Sequence, residues 1–206
     1  MVRLLKPATF LLSLLPLVWI CYQIWLLQSG SGHDLGADPG KAIVLFFGEW
    51  AISFLVLTLA LTPLRTLLQE TWPIRVRRLL GLFMFFYASL HLASYAVFLL
   101  ELDVGNIARD LAKRPYISVG FAGWLLLLPL ALTSTNAMVR RLGRRWRSLH
   151  RLVYVVAVLA VLHVFWLAKS SYFDAFLYGL LLLFLLSSRF FSSAAGFLLK
   201  LSKAHF

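Results

Sequence analysis

Six stretches of roughly 20 apolar residues follow one another along the chain, and they constrain its fold more than any motif does. They run over about 8–27, 42–62, 79–100, 116–134, 149–168 and 172–190. A helix rising 1.5 Å per residue needs about 20 such residues to cross about 30 Å of hydrocarbon, and a backbone in lipid must satisfy its polar groups within the helix. The expected fold class is therefore all-α: a polytopic membrane protein whose residues 1–206 form one six-transmembrane-helix bundle. Composition agrees, with 61% of the 206 residues hydrophobic and 14% charged, and a mean hydropathy of +0.85. The first run follows Arg3 and Lys6 but is too long for the apolar part of a secretory signal. No small-residue cleavage site follows it, so it reads as a helix.

A formal charge of +12 would in a soluble chain raise nucleic acid as a partner. Here the basic residues sit in short clusters between uncharged spans, and topology accounts for them. Fifteen of the 20 fall at the N-terminus, in 63–78, in 135–151 and in the C-terminal tail. The opposite loops hold Lys41, Arg109, Lys113, Arg114 and Lys169 with six of the eight acids, Asp34, Asp38, Glu101, Asp103, Asp110 and Asp174. By the positive-inside rule both termini are expected in the cytoplasm, and nucleic acid is not expected as a partner. The arginine-rich stretch at 140–151 suits lipid headgroups, or an anionic donor such as a flavin mononucleotide.

The single cysteine, Cys21, lies inside the first run. It excludes an internal disulfide, a Cys-x-x-Cys-His haem attachment and a cysteine-held iron–sulfur cluster. The longest loops, roughly 14 to 17 residues, leave no room for a soluble domain. No phosphate-binding glycine motif appears, Gly-Ser-Gly at 30–32 having no strand before it. No internal repeat is evident. Pro16 and Pro129 lie within spans and are expected to shape their helices. Trp19, Trp25, Trp50, Trp124 and Trp166 read as interface anchors or bundle filler. Glu49, the one acid within a span, is expected to tune a cofactor, carry a proton or make an ordinary buried hydrogen bond.

Ionisable side chains inside a membrane are expensive, so each is a functional candidate. His33 and His205 lie in a loop and the tail. His91, His150 and His163 belong to the third and fifth spans, which run in the same direction. His91 and His163 are expected at similar depths beyond mid-membrane, close enough to hold one porphyrin iron from both faces. Filling both axial positions leaves no open site for dioxygen and argues for electron transfer. Cross-bundle hydrogen bonding is the plainer alternative for each ring. His150, thirteen residues before His163, falls roughly 20 Å lower and about 140° around an ideal helix. At its depth lies Arg77, fourteen residues before His91. An arginine has no lone pair to offer a metal but pairs well with a propionate or another anion.

The stretches "LTPLR" (61–65), "RRLLGLFMFFYASLHLASY" (77–95) and "WRSLHRLVYVVAVLAVLHVFW" (146–166) resemble the MsrQ (YedZ) family, over essentially all six spans. That family is the membrane subunit of a methionine sulfoxide reductase system, within the wider ferric reductase-like transmembrane superfamily. Its relatives carry two histidines on each of two helices and stack two b haems. The resemblance implies that His91 and His163 ligate an outer haem and that His150 stands at the inner ligand position. The partner position is Arg77, so the inner level holds a differently ligated haem, a flavin mononucleotide or a quinone. It further implies b haem, one or two, and FMN as cofactors. Electrons would come from the quinone pool or a cytosolic flavin reductase. They would pass to the periplasmic molybdopterin subunit MsrP across the bacterial inner membrane, with methionine sulfoxide reduced in that partner. A stand-alone metalloreductase and a small non-redox transporter are the competing readings. The loops around 28–41 and 101–115 are the expected docking surface.

Overall fold

The computed structural model describes residues 2–167, 173 and 176–187, and all regular structure among them is helical. Lys169, Asp174, Arg189, Lys200, Lys203 and His205 lie outside these residues. The helices are α1 (Val2–Gln28), α2 (Pro39–Leu68), α3 (Trp72–Ser94, continued by a π turn over Tyr95–Leu99), α4 (Val104–Lys113), α5 (Pro115–Leu132), α6 (Asn136–Leu142), α7 (Arg144–Leu149) and α8 (Leu152–Leu167). A shorter apolar helix, α9, covers Phe176–Ser187.

Among the described residues five helices are long and apolar enough to cross a membrane: Leu4–Gln28, Pro39–Leu68, Trp72–Leu99, Pro115–Leu132 and Arg144–Leu167, the last joining α7 to α8. With α9, which covers only the described part of the expected run at 172–190, they make the six-helix bundle of a multi-pass membrane protein. Two hairpins carry it. α2 packs along α3, α5 packs along α8, and α3 meets α5 to join the pairs, while α1 lies against α3. α9 reaches the same core through Leu182 and Leu185. Large apolar side chains left exposed on α1, α8 and α9, such as Leu11, Val158 and Leu183, are what a lipid-facing surface requires.

Local chemistry sets the ends of the elements. Asp38 caps α2 by accepting from the Lys41 amide at 3.0 Å, and Pro39 occupies the first turn, where its missing N–H is not needed. α2 then runs through Pro63 to Leu68, six residues beyond the expected run. α4 was not foreseen in a stretch that the sequence suggests is a loop. Asp103 caps it at the Asn106 amide, 2.7 Å away. At ten residues it spans about 15 Å, too short to cross, so it lies at one face and is tied there. Tyr95 donates to Asp110, whose carboxylate also pairs with Arg114 at 3.2 Å.

The centre of the bundle is aromatic. Tyr87 is fully buried, stacked on Phe54 with ring centres 5.2 Å apart. Its hydroxyl donates to the Ser13 carbonyl at 2.8 Å and accepts from the Leu17 amide at 3.2 Å. Those two groups are i and i+4 of α1, which would otherwise bond each other. The hydroxyl is thus inserted into the ladder beside Pro16, which itself offers no N–H. Side-chain insertion and proline are two recognised causes of helix bending, so the effect expected of Pro16 is shared with a residue of another helix.

Candidate functional site

Two levels of the bundle carry the histidines. His91 and His163 each lie nineteen residues beyond the start of their spans, Trp72 and Arg144. For His91, on a continuous helix, that is about 28 Å from the arginine-rich end. Their helices, α3 and α8, are not among the closely packed pairs, and the two imidazoles meet across the gap between them. Ring centres are 6.1 Å apart with planes at 81°.

Each of these rings is fixed by a helix other than its own. His91 Nδ1 lies 2.8 Å from the carbonyl of Val44 on α2, and His163 Nδ1 lies 2.7 Å from the carbonyl of Tyr116 on α5. A carbonyl only accepts, so both Nδ1 atoms carry a proton and donate. In a neutral imidazole this leaves Nε2 with its lone pair. Such a bond is the usual partner of a metal-ligating histidine, since it sets tautomer and ring orientation and raises basicity. Two imidazoles on one metal, each nitrogen about 2 Å from it, place their ring centres about 6 Å apart. The pair fits that requirement.

The pair does not suit a bare ion. Among the described residues no group of three or more His, Cys, Asp or Glu side chains converges, whereas zinc takes four ligands and first-row ions generally need more than two. Two axial nitrogens suffice for an iron that brings four equatorial nitrogens of its own. The chemistry of the donor set therefore fits a porphyrin.

The second level, near the arginine-rich end, is built differently. His150 sits in the joint between α7 and α8, capping α7. Counting 100° per residue from His150 to His163 thus crosses a break in the helix, and the angle expected for an ideal helix does not apply. Its Nδ1 lies 3.1 Å from the carbonyl of Trp146, one turn back on its own helix, and its ring stacks on Trp146 at 3.8 Å. Nε2 meets Ser134 Oγ at 3.4 Å. That hydroxyl already donates to the Leu130 carbonyl at 2.7 Å. Arg77 donates to Thr62 Oγ1 at 3.2 Å. Neighbouring Arg78 donates to Asn136 Oδ1. No imidazole faces His150 among the described residues.

Other candidates fall outside both levels. His33 accepts from the Leu35 amide at 3.3 Å within its loop, and Glu49 is exposed. Trp124 is more than filler: its indole donates to Ser89 Oγ at 3.0 Å, which pins α5 to α3 two residues from His91. Trp19, Trp25 and Trp166 are exposed, as anchors are.

What the sequence did not disclose is that the site repeats. Val44, Gly48 and His91 lie 72 residues before Tyr116, Gly120 and His163, and each histidine stands 47 residues after its carbonyl partner. Ala-x-Leu-His at 88–91 and again at 160–163 is the signal that pointed to it. Helix pairs α2–α3 and α5–α8 thus place a receiving carbonyl, a glycine and a histidine at the same spacings. Four matching residues are too few to emerge from apolar spans until the contacts show which positions correspond.

The chain is similar to known membrane proteins over most of its length. Residues 47–161 match the family described as ferric reductase like transmembrane component, a segment that includes His91 and His150 and stops two residues short of His163. Over 187 residues the chain is 44% identical to the protein-methionine-sulfoxide reductase heme-binding subunit MsrQ of Polaromonas naphthalenivorans (strain CJ2), covering 89% of this chain and 83% of that one. The subunit of the same name from Xanthomonas euvesicatoria pv. vesicatoria (strain 85-10) is 48% identical over 177 residues, 86% of this chain and 81% of the relative. That of Herminiimonas arsenicoxydans is 48% identical over 161 residues, 77% and 74%.

Proposed function

This chain belongs to the MsrQ family of haem-binding subunits, within the ferric reductase-like transmembrane group, and from that premise we propose that it carries electrons across the bacterial inner membrane to a periplasmic methionine sulfoxide reductase. The observation that carries the proposal is the facing pair His91 and His163, with ring centres 6.1 Å apart and each Nδ1 bonded to a backbone carbonyl. His91 and His163 would hold one b haem through their Nε2 atoms. When bound, it supplies a one-electron couple within the low-dielectric layer.

The protein's own contribution is orientation and exclusion. Val44 and Tyr116 hold the imidazoles in the tautomer that leaves Nε2 its lone pair, and a haem held by both rings would have no site left for dioxygen. The arginine-rich end faces the cytoplasm by the positive-inside rule, with both termini on that side. There the level of His150 and Arg77 receives electrons from a quinol or a reduced flavin, including FMN, whose anionic groups suit Arg77 and the basic 140–151 stretch. On the periplasmic side the loops at 28–41 and 101–115, the second now carrying α4, dock the molybdopterin subunit MsrP. Reduction of methionine sulfoxide takes place in that partner.

The test is haem-to-protein stoichiometry with reduced-minus-oxidised spectra on purified protein. One low-spin b haem per chain is expected, absent from His91→Ala and from His163→Ala and retained in His150→Ala. A preparation that stays colourless after reconstitution with haem, or a haem lost only from His150→Ala, would overturn the proposal.

A further inference from the structure

The two carbonyls that receive His91 and His163 belong to helices whose own ladder already uses them. In a helix the C=O of residue i accepts the N–H of residue i+4, and its second lone pair is open only where side chains leave a path to it. Side chains on a helix lean back toward the N-terminus, so the side chain of residue i+4 lies over the turn that begins at residue i. Residue i+4 from Val44 is Gly48, and residue i+4 from Tyr116 is Gly120. At the two positions where a side chain would cover the receiving carbonyl, there is none.

The distances show how little room remains. A Cβ at Gly48 would stand 3.0 Å from His91 Nδ1 and 3.1 Å from Cε1. One at Gly120 would stand 2.7 Å from His163 Nδ1, 2.9 Å from Cε1 and 3.2 Å from Cγ. The first is at the limit of contact, and the second is inside it. Gly81 and Gly123 lie in the same bundle, and a Cβ there would meet only Thr58 Cγ2 at 3.8 Å and Leu159 Cβ at 3.7 Å. Absence of a side chain is therefore required at the receiving positions and not at these two.

We infer that Gly48 and Gly120 are positioning residues for the facing imidazoles, each baring the carbonyl one turn earlier so that the paired histidine seats its Nδ1–H there, and that the two hairpins are equivalent half-sites. The inference rests on the haem reading of the pair. Its consequence is a specific one for the metal: the two axial ligands owe their tautomer and plane to the same device, and losing either device weakens one ligand without removing it. A ring pushed off its carbonyl loses the bond that raises its basicity. A less basic ligand favours ferrous over ferric iron, so the midpoint potential rises.

The experiment uses the full chain purified with its haem and compares Gly120→Ala, Gly48→Ala, Gly81→Ala, Gly123→Ala and His163→Ala by haem affinity, low-spin spectrum and midpoint potential. Gly120→Ala is expected to lower haem affinity about 10- to 100-fold, the range seen for partners of metal-bound histidines, and to raise the potential of what haem remains. Gly48→Ala is expected to shift the same quantities in the same direction by less, and Gly81→Ala and Gly123→Ala to match the parent. Parental affinity, spectrum and potential in both Gly120→Ala and Gly48→Ala overturn the inference while haem loss in His163→Ala leaves the underlying reading standing. Full haem in His163→Ala overturns that reading itself. Should Gly120→Ala fail to accumulate, Gly48→Ala decides by the same readouts, since its methyl has only to move the ring by a few tenths of an ångström.

Discussion

The level of His91 and His163 and the level of His150 use the same side chain in opposite ways. At the first, each ring is held by a carbonyl of the facing helix in its hairpin, and the two ring centres stand 6.1 Å apart. At the second, the ring is held by its own preceding turn and stacks on Trp146. A carbonyl at Nδ1 settles the tautomer at both levels, since it only accepts; what distinguishes the first level is a second imidazole across the gap. An intramembrane histidine is thus informative less for being there than for what stands across the gap from it.

The comparison can be broken most severely by removing one ring from each level. Loss of haem is expected to be nearly complete in His163→Ala or His91→Ala and absent in His150→Ala, read as haem per protein; the reverse pattern would exchange the roles of the two levels. Next in size is Arg77→Leu, which removes the cation that donates to Thr62 near the arginine-rich end. Haem content is expected to hold while reduction by a quinol or reduced flavin slows about 10-fold, the scale of losing one charge-assisted contact. Stopped-flow reduction measures it, and an unchanged rate would remove the inner level from the electron path.

Smaller effects sharpen the contrast by probing scaffold rather than ligands. Tyr87→Phe removes the hydroxyl inserted in α1 one turn before His91. Ser13 C=O and Leu17 N–H are left to bond each other, so the expected loss is about 1 kcal/mol of stability, read by thermal unfolding in detergent, with the haem spectrum unmoved. A shifted spectrum would mean that α1 also positions the ligands. The smallest effect is expected from Ser134→Ala, within about 0.5 kcal/mol and without spectral change, because its contact to His150 is long at 3.4 Å. A larger change would mean that the hydroxyl fixes the His150 ring after all.

Much of this was legible in the chain and some was not, for identifiable reasons. Apolar run length showed the spans, and the histidines at 91 and 163 stood out because imidazole is rare and expensive in lipid. α4 was hidden because a ten-residue surface helix has no span-like run to announce it. The break at His150 was hidden because Gly143 and the arginines before it suggest a loop, while nothing at 150–151 suggests an interruption. Gly48 and Gly120 were hidden because a glycine in an apolar helix carries no chemistry of its own; its role exists only relative to a ring arriving from 43 residues further along.

By itself the sequence determined that the chain is helical and membrane-embedded, since about 20 apolar residues in succession allow few other outcomes in lipid. Its single cysteine also excludes an internal disulfide, a Cys-x-x-Cys-His attachment and a cysteine-held cluster. Only the tertiary structure decided which carbonyl holds each ring of the expected pair and which nitrogen each one presents. Those are properties of the helix across the gap, set by a carbonyl and a missing side chain on a neighbour, and no spacing along a single helix encodes them.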